Sequence, residues 1–115
     1  MNQKEVYLTK KQNIAFLEDK KKKLFNCLHM FEASDPTAYK SIHTMIREME
    51  GRAKRFPFFA EHMKYQHVID TLENLYDYFL VINQDEHSIV RSDILKSLHY
   101  LDAAIKDVNG KFKGV

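Results

Sequence analysis

One stripe of apolar residues limits most strongly what this chain can fold into. Between residues 39 and 56 the apolar positions lie alternately three and four residues apart, which is the repeat of one face of an α-helix. These positions are Tyr39, Ile42, Ile46, Met49, Ala53 and Phe56. The 115 residues include only three Gly and two Pro, too few for the turns of a β-sandwich or barrel. The chain is therefore predicted to be all-α.

Three further segments carry the same spacing, and polar or proline-containing breaks separate them. Asp35 is a good N-cap and Pro36 fits a first helical position, while Gly110 is a candidate C-terminal stop. Four helices of this length with short connections favour an antiparallel up-down four-helix bundle, formed as one domain over residues 1–115. The helices are predicted at about residues 10–33, 36–55, 58–82 and 88–108, with a polar loop over residues 83–87.

Cysteine usage and hydropathy bear on the compartment. The single cysteine, Cys27, lies in an apolar helical run and is predicted to be a buried thiol. One cysteine cannot form an internal disulfide, which is typical of a reducing compartment. No segment is similar to a signal peptide, and no apolar run approaches the roughly 20 residues of a membrane span. A cytoplasmic protein without a membrane partner is expected.

Charge is unevenly distributed along the chain. Residues 1–57 carry 12 Lys and Arg against 7 Asp and Glu, whereas residues 58–115 carry 6 against 9. The basic half includes the run Lys20–Lys23, which is predicted to be a solvated helix face and could alternatively attract an acidic protein surface. No interleaving of basic and aromatic residues indicates single-stranded nucleic-acid binding, so no nucleic-acid partner is expected.

Six histidines raise the question of a metal site. Three of them precede an acidic residue at a spacing of three, a spacing that bundle metal sites use: His29 with Glu32, His67 with Asp70, and His99 with Asp102. Each pair lies well away from the apolar stripe of its own helix, so these side chains are predicted to be solvated. Neither a metal site nor a cofactor is predicted.

Features of common enzyme sites are few. Cys27 has no base at helical spacing, and three scattered glycines cannot build a phosphate-binding loop. His43 lies about 90° from the stripe centre of its helix, so it is expected to flank the core and reach solvent. An exposed imidazole can accept a phosphoryl group if a nearby cation holds the added charge. A phosphocarrier or a binding protein is favoured over an enzyme, and the enzyme question stays open.

The sequence around His43 resembles a known family. Residues 39–45, Tyr-Lys-Ser-Ile-His-Thr-Met, look like the Phe-Arg-x-x-His-Thr-apolar-Lys-Gly segment of histidine-phosphotransfer domains, which are four-helix bundles of about this length. The run His67–Asp77 and the triplet 93–95 are similar to the third and fourth helices of that family. The resemblance covers about residues 13–108 and implies that His43 is the phosphoacceptor, with a receiver domain as partner.

Two alignments of this segment stay open. In the first, Ile46 and Arg47 stand where the family has Lys and Gly, and Arg47 would support the phosphate on His43. In the second, the family glycine aligns with Gly51, which places Arg47 at the acceptor position. The second alignment implies a pseudo-phosphotransfer domain that binds a partner without chemistry.

Three functions therefore compete. The first is a phosphorelay carrier that accepts phosphate from a receiver domain at His43. The second is a non-catalytic binding module that docks an acidic partner. The third is a small structural or immunity-type protein that self-associates through Phe58, Phe59 or Tyr78, although the oligomeric state itself is left open. The residues expected to contact a partner in the first two cases are Lys40, Arg47, Gly51, Arg52 and Lys54.

Overall fold

The computed structural model describes the backbone of residues 3–81 and 87–111 and the side chains of residues 10–78 and 88–110. Every regular element within these ranges is an α-helix, which confirms the all-α prediction. The helices are α1 (Gln3–Glu32), α2 (Ala38–Arg55), α3 (Pro57–Glu61), α4 (Met63–Val81) and α5 (His87–Lys111).

The four long helices enclose a single core. Helix α1 packs against α2 and α5, and α4 also packs against α2 and α5. Buried apolar side chains from all four helices meet between them, and the largest fully buried ones include Leu17, Met45, Tyr65 and Leu101. The predicted stripe of α2 is confirmed, because Ile42, Ile46 and Met49 are buried and the other members are partly buried.

Helix α1 begins at Gln3, seven residues before the predicted start. No Gly or Pro precedes Pro36 in the sequence, so nothing in this segment stops a helix. The helix ends in a Schellman motif in which Ser34 has a left-handed φ of 58°. The Asp35 N–H donates to the Met30 carbonyl (2.8 Å), and the Ser34 N–H donates to the Phe31 carbonyl (3.0 Å).

Helix α2 begins at Ala38, two residues later than predicted, with Thr37 as the N-cap. Asp35 does not cap the helix itself. Its Oδ1 accepts hydrogen bonds from the backbone N–H of Thr37 (2.8 Å) and from the Thr37 hydroxyl (2.6 Å). The aspartate therefore stabilises a turn that contains Pro36 and leads into the helix.

The third predicted helix, at residues 58–82, is divided into α3 and α4. The division falls at His62, which has an extended backbone (φ −81°, ψ 112°). Its imidazole Nδ1 accepts a hydrogen bond from the Tyr65 N–H (3.1 Å), so the histidine side chain caps the start of α4. The division is one residue long and no Gly or Pro marks it, so the sequence did not reveal it.

Helix α5 extends to Lys111 and includes Gly110, which was predicted to end it at about residue 108. The described backbone has no left-handed turn at Gly110, and a Cβ there would meet nothing within 4 Å. The predicted loop at residues 83–87 lies outside the described residues except for His87, which is helical. None of the described helices has both the length and the apolar character needed to cross a membrane.

Two predictions about exposed side chains are wrong. Lys20 is only 1% exposed, because it lies at the contact between α1 and α2 and forms ion pairs there, so the run Lys20–Lys23 is not a uniformly solvated face. Phe59 is fully buried in the core, since α3 turns its ring toward Tyr65 at a centroid distance of 4.7 Å. Phe59 is therefore not available for self-association.

Candidate functional site

The candidate site lies on the outer face of α2. At about 100° per residue, five side chains of this helix fall within an arc of about 80°. All five are exposed, and they comprise three cations, one histidine and one acid: Lys40, His43, Arg47, Glu50 and Lys54. The sequence prediction that His43 reaches solvent is confirmed.

The His43 ring contacts α4. Its centroid lies 5.4 Å from the centroid of the Tyr76 ring, at an interplanar angle of 35°. Tyr76 also lies beside Tyr39, which is one turn before His43 on α2, at a centroid distance of 6.3 Å. The imidazole is thus supported on one side by a neighbouring helix and is exposed on the other.

Two cations flank the imidazole along the helix. Lys40 is three residues before His43 and Arg47 is four residues after it, spacings that bring side chains of one helix face together. Lys40 Nζ lies 6.0 Å from the centre of the Tyr39 ring. Within the described side chains neither cation forms an ion pair, so both positive charges face solvent. Helical spacing thus places Lys40 and Arg47 on the same exposed face of α2 as His43.

The Arg52 side chain binds other residues of this chain. Its Nε donates to Asn13 Oδ1 of α1 at 3.0 Å, and its guanidinium lies 4.9 Å from the ring centres of both Phe16 and Phe56. Burial lowers the pKa of this guanidinium, and Arg55 adds repulsion in the same direction. Arg52 therefore joins α1 to α2 and is not free to contact a partner, contrary to the expectation from sequence.

The two remaining predicted contact residues are open to solvent or border open space. Lys54 is exposed. Gly51 is half-buried, and a Cβ placed on it would meet nothing within 4 Å, so no neighbour in this chain requires a glycine there. His43 and Arg47 both point outward one helical turn apart. The two alignments of the phosphotransfer segment therefore differ only in which of these two side chains occupies the acceptor position.

An acidic stripe on α4 borders the cationic stripe on α2. Glu73 of α4 lies beside Glu50 of α2, and Asp70 and Asp77 lie close enough to repel it. Burial and then these carboxyl neighbours raise the pKa of Glu73. The site around His43 thus has positive charge along α2 and negative charge on the neighbouring helix α4.

Sequence reasoning missed Tyr76 as a neighbour of His43. Tyr76 belongs to the apolar stripe of α4, and its ring is partly buried. Tyr76 is at the edge of that stripe, and edge aromatics contact side chains that flank the core of the adjacent helix. The missing information was which helix lies next to α2, and sequence periodicity does not contain it.

The described side chains form no metal centre. Within residues 10–78 and 88–110, no three His, Cys, Asp or Glu side chains are grouped closely enough to hold an ion. Two histidines of the predicted pairs contact rings, since His29 packs edge-on against Phe25 (4.8 Å) and His67 lies over Tyr100 (5.8 Å). The acid of the third pair, Asp102, is bound to Lys21 at 2.5 Å.

Comparisons of this chain with protein-family models, with curated proteins and with solved structures found no match. The functional conclusion therefore depends on the chemistry of the described side chains, and above all on the exposed imidazole of His43 between Lys40 and Arg47.

Proposed function

We propose that this protein is a histidine phosphocarrier of a two-component phosphorelay. In this proposal His43 accepts a phosphoryl group from the aspartate of a receiver domain and passes it on. One observation carries the proposal: an exposed imidazole on a helix face lies between two cations, Lys40 and Arg47, that have no carboxylate partner among the described side chains.

The proposed architecture is an antiparallel up-down bundle of the four long helices, with α3 as a short connecting helix. The contacts between neighbouring helices support it. As the residue number rises along one helix, the number of its contact residue on the neighbouring helix falls, which is the order that antiparallel helices give. Between α1 and α2 the contacts are Asn13 with Arg52 and Cys27 with Ala38, and between α2 and α4 they are Met49 with Tyr65 and His43 with Tyr76. Where α5 meets the start of α4 they are His62 with Asp107 and His67 with Tyr100. Between α1 and α5 they are Lys21 with Asp102 and Glu32 with Arg91.

The transfer step follows from the chemistry of an imidazole. The lone pair on Nε2 of His43 attacks the phosphorus of the receiver's aspartyl phosphate, so that a P–N bond forms while the P–O bond to the aspartate breaks. The electron pair of that P–O bond leaves with the carboxylate. The proton on Nδ1 passes to water. The reverse reaction delivers the phosphoryl group to another aspartate.

The neighbours of His43 suit this role. Arg47 and Lys40 can each hold a phosphoryl oxygen, because a cation one turn away on a helix lies within reach of the group on Nε2. Tyr76 limits the rotation of the imidazole by covering one side of the ring. We also propose a cytoplasmic location, in which a single buried cysteine stays reduced and a receiver domain is accessible.

Phosphotransfer from a receiver domain tests the proposal. The chain is mixed with a receiver domain charged by radiolabelled acetyl phosphate, and acid-labile label on the chain is measured with time. Wild-type protein should become labelled, and His43→Gln should lose the label. His99→Gln is the matched control, because His99 is also an exposed helical histidine but lies on α5. Equal labelling of wild-type protein and His43→Gln would exclude this site.

A second function is favoured by the cationic stripe itself. Lys40, Arg47 and Lys54 are exposed on one face of α2, and the alignment that puts Arg47 at the acceptor position needs no chemistry. In this alternative the protein is a pseudo-phosphotransfer module that docks an acidic surface of a receiver domain or another partner.

Salt dependence and substitution separate the two functions. Docking through the stripe should weaken steeply with ionic strength, since exposed charges are screened within about 10 Å at 0.1 M salt. Arg47→Gln should weaken binding about tenfold, whereas His43→Gln should leave binding intact. Binding that survives in His43→Gln, together with no label on wild-type protein, would favour docking. Label on wild-type protein that disappears in His43→Gln would favour the phosphocarrier.

A further inference from the structure

Contacts between helices bring three segments of the chain together at one end of the molecule. Arg52 Nε near the end of α2 donates to Asn13 Oδ1 of α1 at 3.0 Å, and His62 Nε2 lies 2.7 Å from Asp107 Oδ2 near the end of α5. Helix α3 connects α2 to α4 across the same end. We call the surface formed by residues 10–13, 52–64 and 106–110 the basic end.

Positive charge is concentrated at the basic end. It contains seven Lys and Arg but only two acids, Glu61 and Asp107, so its net charge is +5. The whole chain has a net charge of only +2, so all the other residues together carry −3. The molecule is 51 Å long and only 20–21 Å wide, which keeps the cations of this end close to one another.

Most of these cations have no partner in this chain. Arg52 is held inside the fold by Asn13 and by two phenylalanine rings. Burial and then the charge of Arg55 lower the pKa of Arg52, so like charges act on each other here. The other six cations form no ion pair with any described side chain, and each is exposed or half-buried: Lys10, Lys11, Lys54, Arg55, Lys64 and Lys106. An anionic partner would supply the charge that this chain does not.

The basic end also carries exposed apolar side chains. Met63, which begins α4, is 75% exposed and directly precedes Lys64. Pro57 and Ala60 of α3 are exposed as well. The aromatic rings of this end, by contrast, are partly or fully buried against the core: Phe56, Phe58 and Phe59. The surface therefore combines lysines with a small apolar tip and has no open aromatic face among its described side chains.

This combination favours one class of anionic partner. Single-stranded nucleic acids are bound by open aromatic rings, and contacts to the phosphates of a duplex are polar and would leave Met63 in water. Lysine is depleted at protein–protein interfaces, yet five of the six unpaired cations are lysines. Clusters of four to eight Lys and Arg are typical of surfaces that bind anionic lipids, and exposed apolar side chains can enter the headgroup region.

We propose that the basic end attaches this protein to the surface of an anionic lipid bilayer. The lysines lie near the lipid headgroups, and Met63 enters the boundary between headgroups and acyl chains. From the sequence we expected no membrane partner, because no apolar run can span a bilayer, but attachment to its surface needs no such run.

This attachment goes beyond the proposed phosphotransfer and does not depend on it. His43 precedes Arg55 by twelve residues on α2, which is about 18 Å along the helix. A receiver domain can therefore reach His43 while the basic end is bound to lipid.

Sedimentation with lipid vesicles tests the proposal. Wild-type protein should bind vesicles of phosphatidylcholine with about 30% phosphatidylserine and should not bind pure phosphatidylcholine. The bound fraction should fall as salt rises from about 0.1 M to about 0.5 M, because salt screens exposed charges.

A matched pair of double variants locates the contact. Lys11→Gln with Arg55→Gln should weaken vesicle binding at least about tenfold, since each cation near such a surface strengthens binding about fivefold. Lys22→Gln with Lys96→Gln removes the same charge from exposed positions outside the basic end and should weaken binding less than about threefold. Circular dichroism checks that both variants are folded.

A tryptophan reporter tests the apolar tip. The chain contains no Trp, so Met63→Trp introduces a single fluorescent indole at an exposed position. Its emission should shift to shorter wavelength when vesicles with phosphatidylserine are added, because the indole leaves water. The emission of Lys22→Trp, on the exposed face of α1 outside the basic end, should not shift.

Four results would overturn the proposal. The first is wild-type protein that does not bind the phosphatidylserine vesicles at low salt. The second is an equal loss of binding in the two double variants. The third is Met63→Trp that sediments with the vesicles without a change in emission. The fourth is wild-type protein that binds duplex DNA or polyglutamate but not the vesicles, which would assign the basic end to a nucleic acid or to an acidic protein.

Discussion

The Lys20 ammonium, which is almost fully buried on α1, donates a hydrogen bond to Glu48 Oε2 of α2 at 2.7 Å. Asp19 Oδ2 accepts a second hydrogen bond from it at 3.0 Å, and the ammonium lies 4.7 Å from the centre of the Phe16 ring. Lys23 approaches the same two carboxylates at 3.2 and 3.4 Å. The run Lys20–Lys23 suggests an exposed basic patch in the sequence, but two of its lysines form a polar network that links α1 to α2.

Loss of the Lys20 side chain should destabilise the protein. Lys20→Ala removes two charge-assisted hydrogen bonds and buried methylenes, so the free energy of unfolding should fall by about 1–3 kcal/mol. Lys22→Ala is the control, because Lys22 is exposed and its removal should change stability by less than about 0.5 kcal/mol. Urea denaturation of both variants measures the difference. If both substitutions lowered the free energy of unfolding equally, Lys20 would not link α1 to α2.

The ion pairs of Lys20 with Asp19 and Glu48 should also make the free energy of unfolding depend on pH in the acidic range. The hydrogen bond from Lys20 holds the pKa of Asp19 below its ordinary value of 3.8. Burial opposes ionisation of Glu48, but the hydrogen bond and charge of Lys20 still leave its pKa below 4.5. Because both pKa values are lower in the folded state, the stabilisation is complete above the ordinary values and is lost as the pH falls through the folded ones.

Glu48→Gln should reduce this dependence. Between about pH 6 and pH 3, the unfolding free energy of the wild-type protein should fall more steeply than that of the variant. Urea denaturation at several pH values measures both slopes. A variant whose slope equals that of the wild type would show that Glu48 does not contribute.

Glu73 should have the opposite effect. Burial, the neighbouring carboxyl group of Glu50 and the charges of Asp70 and Asp77 raise its pKa above the ordinary value of 4.5. The ionised carboxylate therefore costs stability above the folded pKa, and the cost disappears as the pH falls below 4.5. Because Glu73 is exposed, Glu73→Gln should stabilise the protein at pH 7 by only a few tenths of a kcal/mol. Thermal melts of both proteins at pH 7 and pH 4 measure this effect. If Glu73→Gln stabilised the protein equally at both pH values, the raised pKa of Glu73 would be contradicted.

Cys27 should react slowly with thiol reagents in the native protein. Its side chain is fully buried, its Sγ donates to the Ala38 carbonyl at 3.5 Å, and burial raises its pKa to about 11. At pH 8 a disulfide reagent should modify the native thiol at least about 100-fold more slowly than the thiol of the urea-unfolded chain. Modification at the same rate in both states would show that the thiol is accessible.

Helix formation and the core could be predicted because they depend on local pattern. Apolar spacing identified Ile42, Ile46 and Met49 as core residues and left His43 exposed. The same pattern missed the break at His62. The break is one residue with an extended backbone whose imidazole caps the next helix, and no Gly or Pro marks that residue in the sequence.

The roles of charged residues could not be predicted in the same way. Lys20 and Arg52 look like surface cations in the sequence, yet one is buried against Glu48 and the other is held by Asn13 and two phenylalanine rings. A long basic side chain on a helix can place its charged end in solvent or against a neighbouring helix. Which of the two it does depends on a partner residue from another helix.

By itself the sequence determined that this chain is helical, which faces of its helices are apolar, and that His43 stands outside the core between two cations. Periodicity within each helix contains this information, because the spacing of apolar residues is a local property. Only the tertiary structure decided which helices are neighbours. It thereby placed Tyr76 beside His43 and Glu48 beside Lys20, since such contacts depend on helices far apart in the chain.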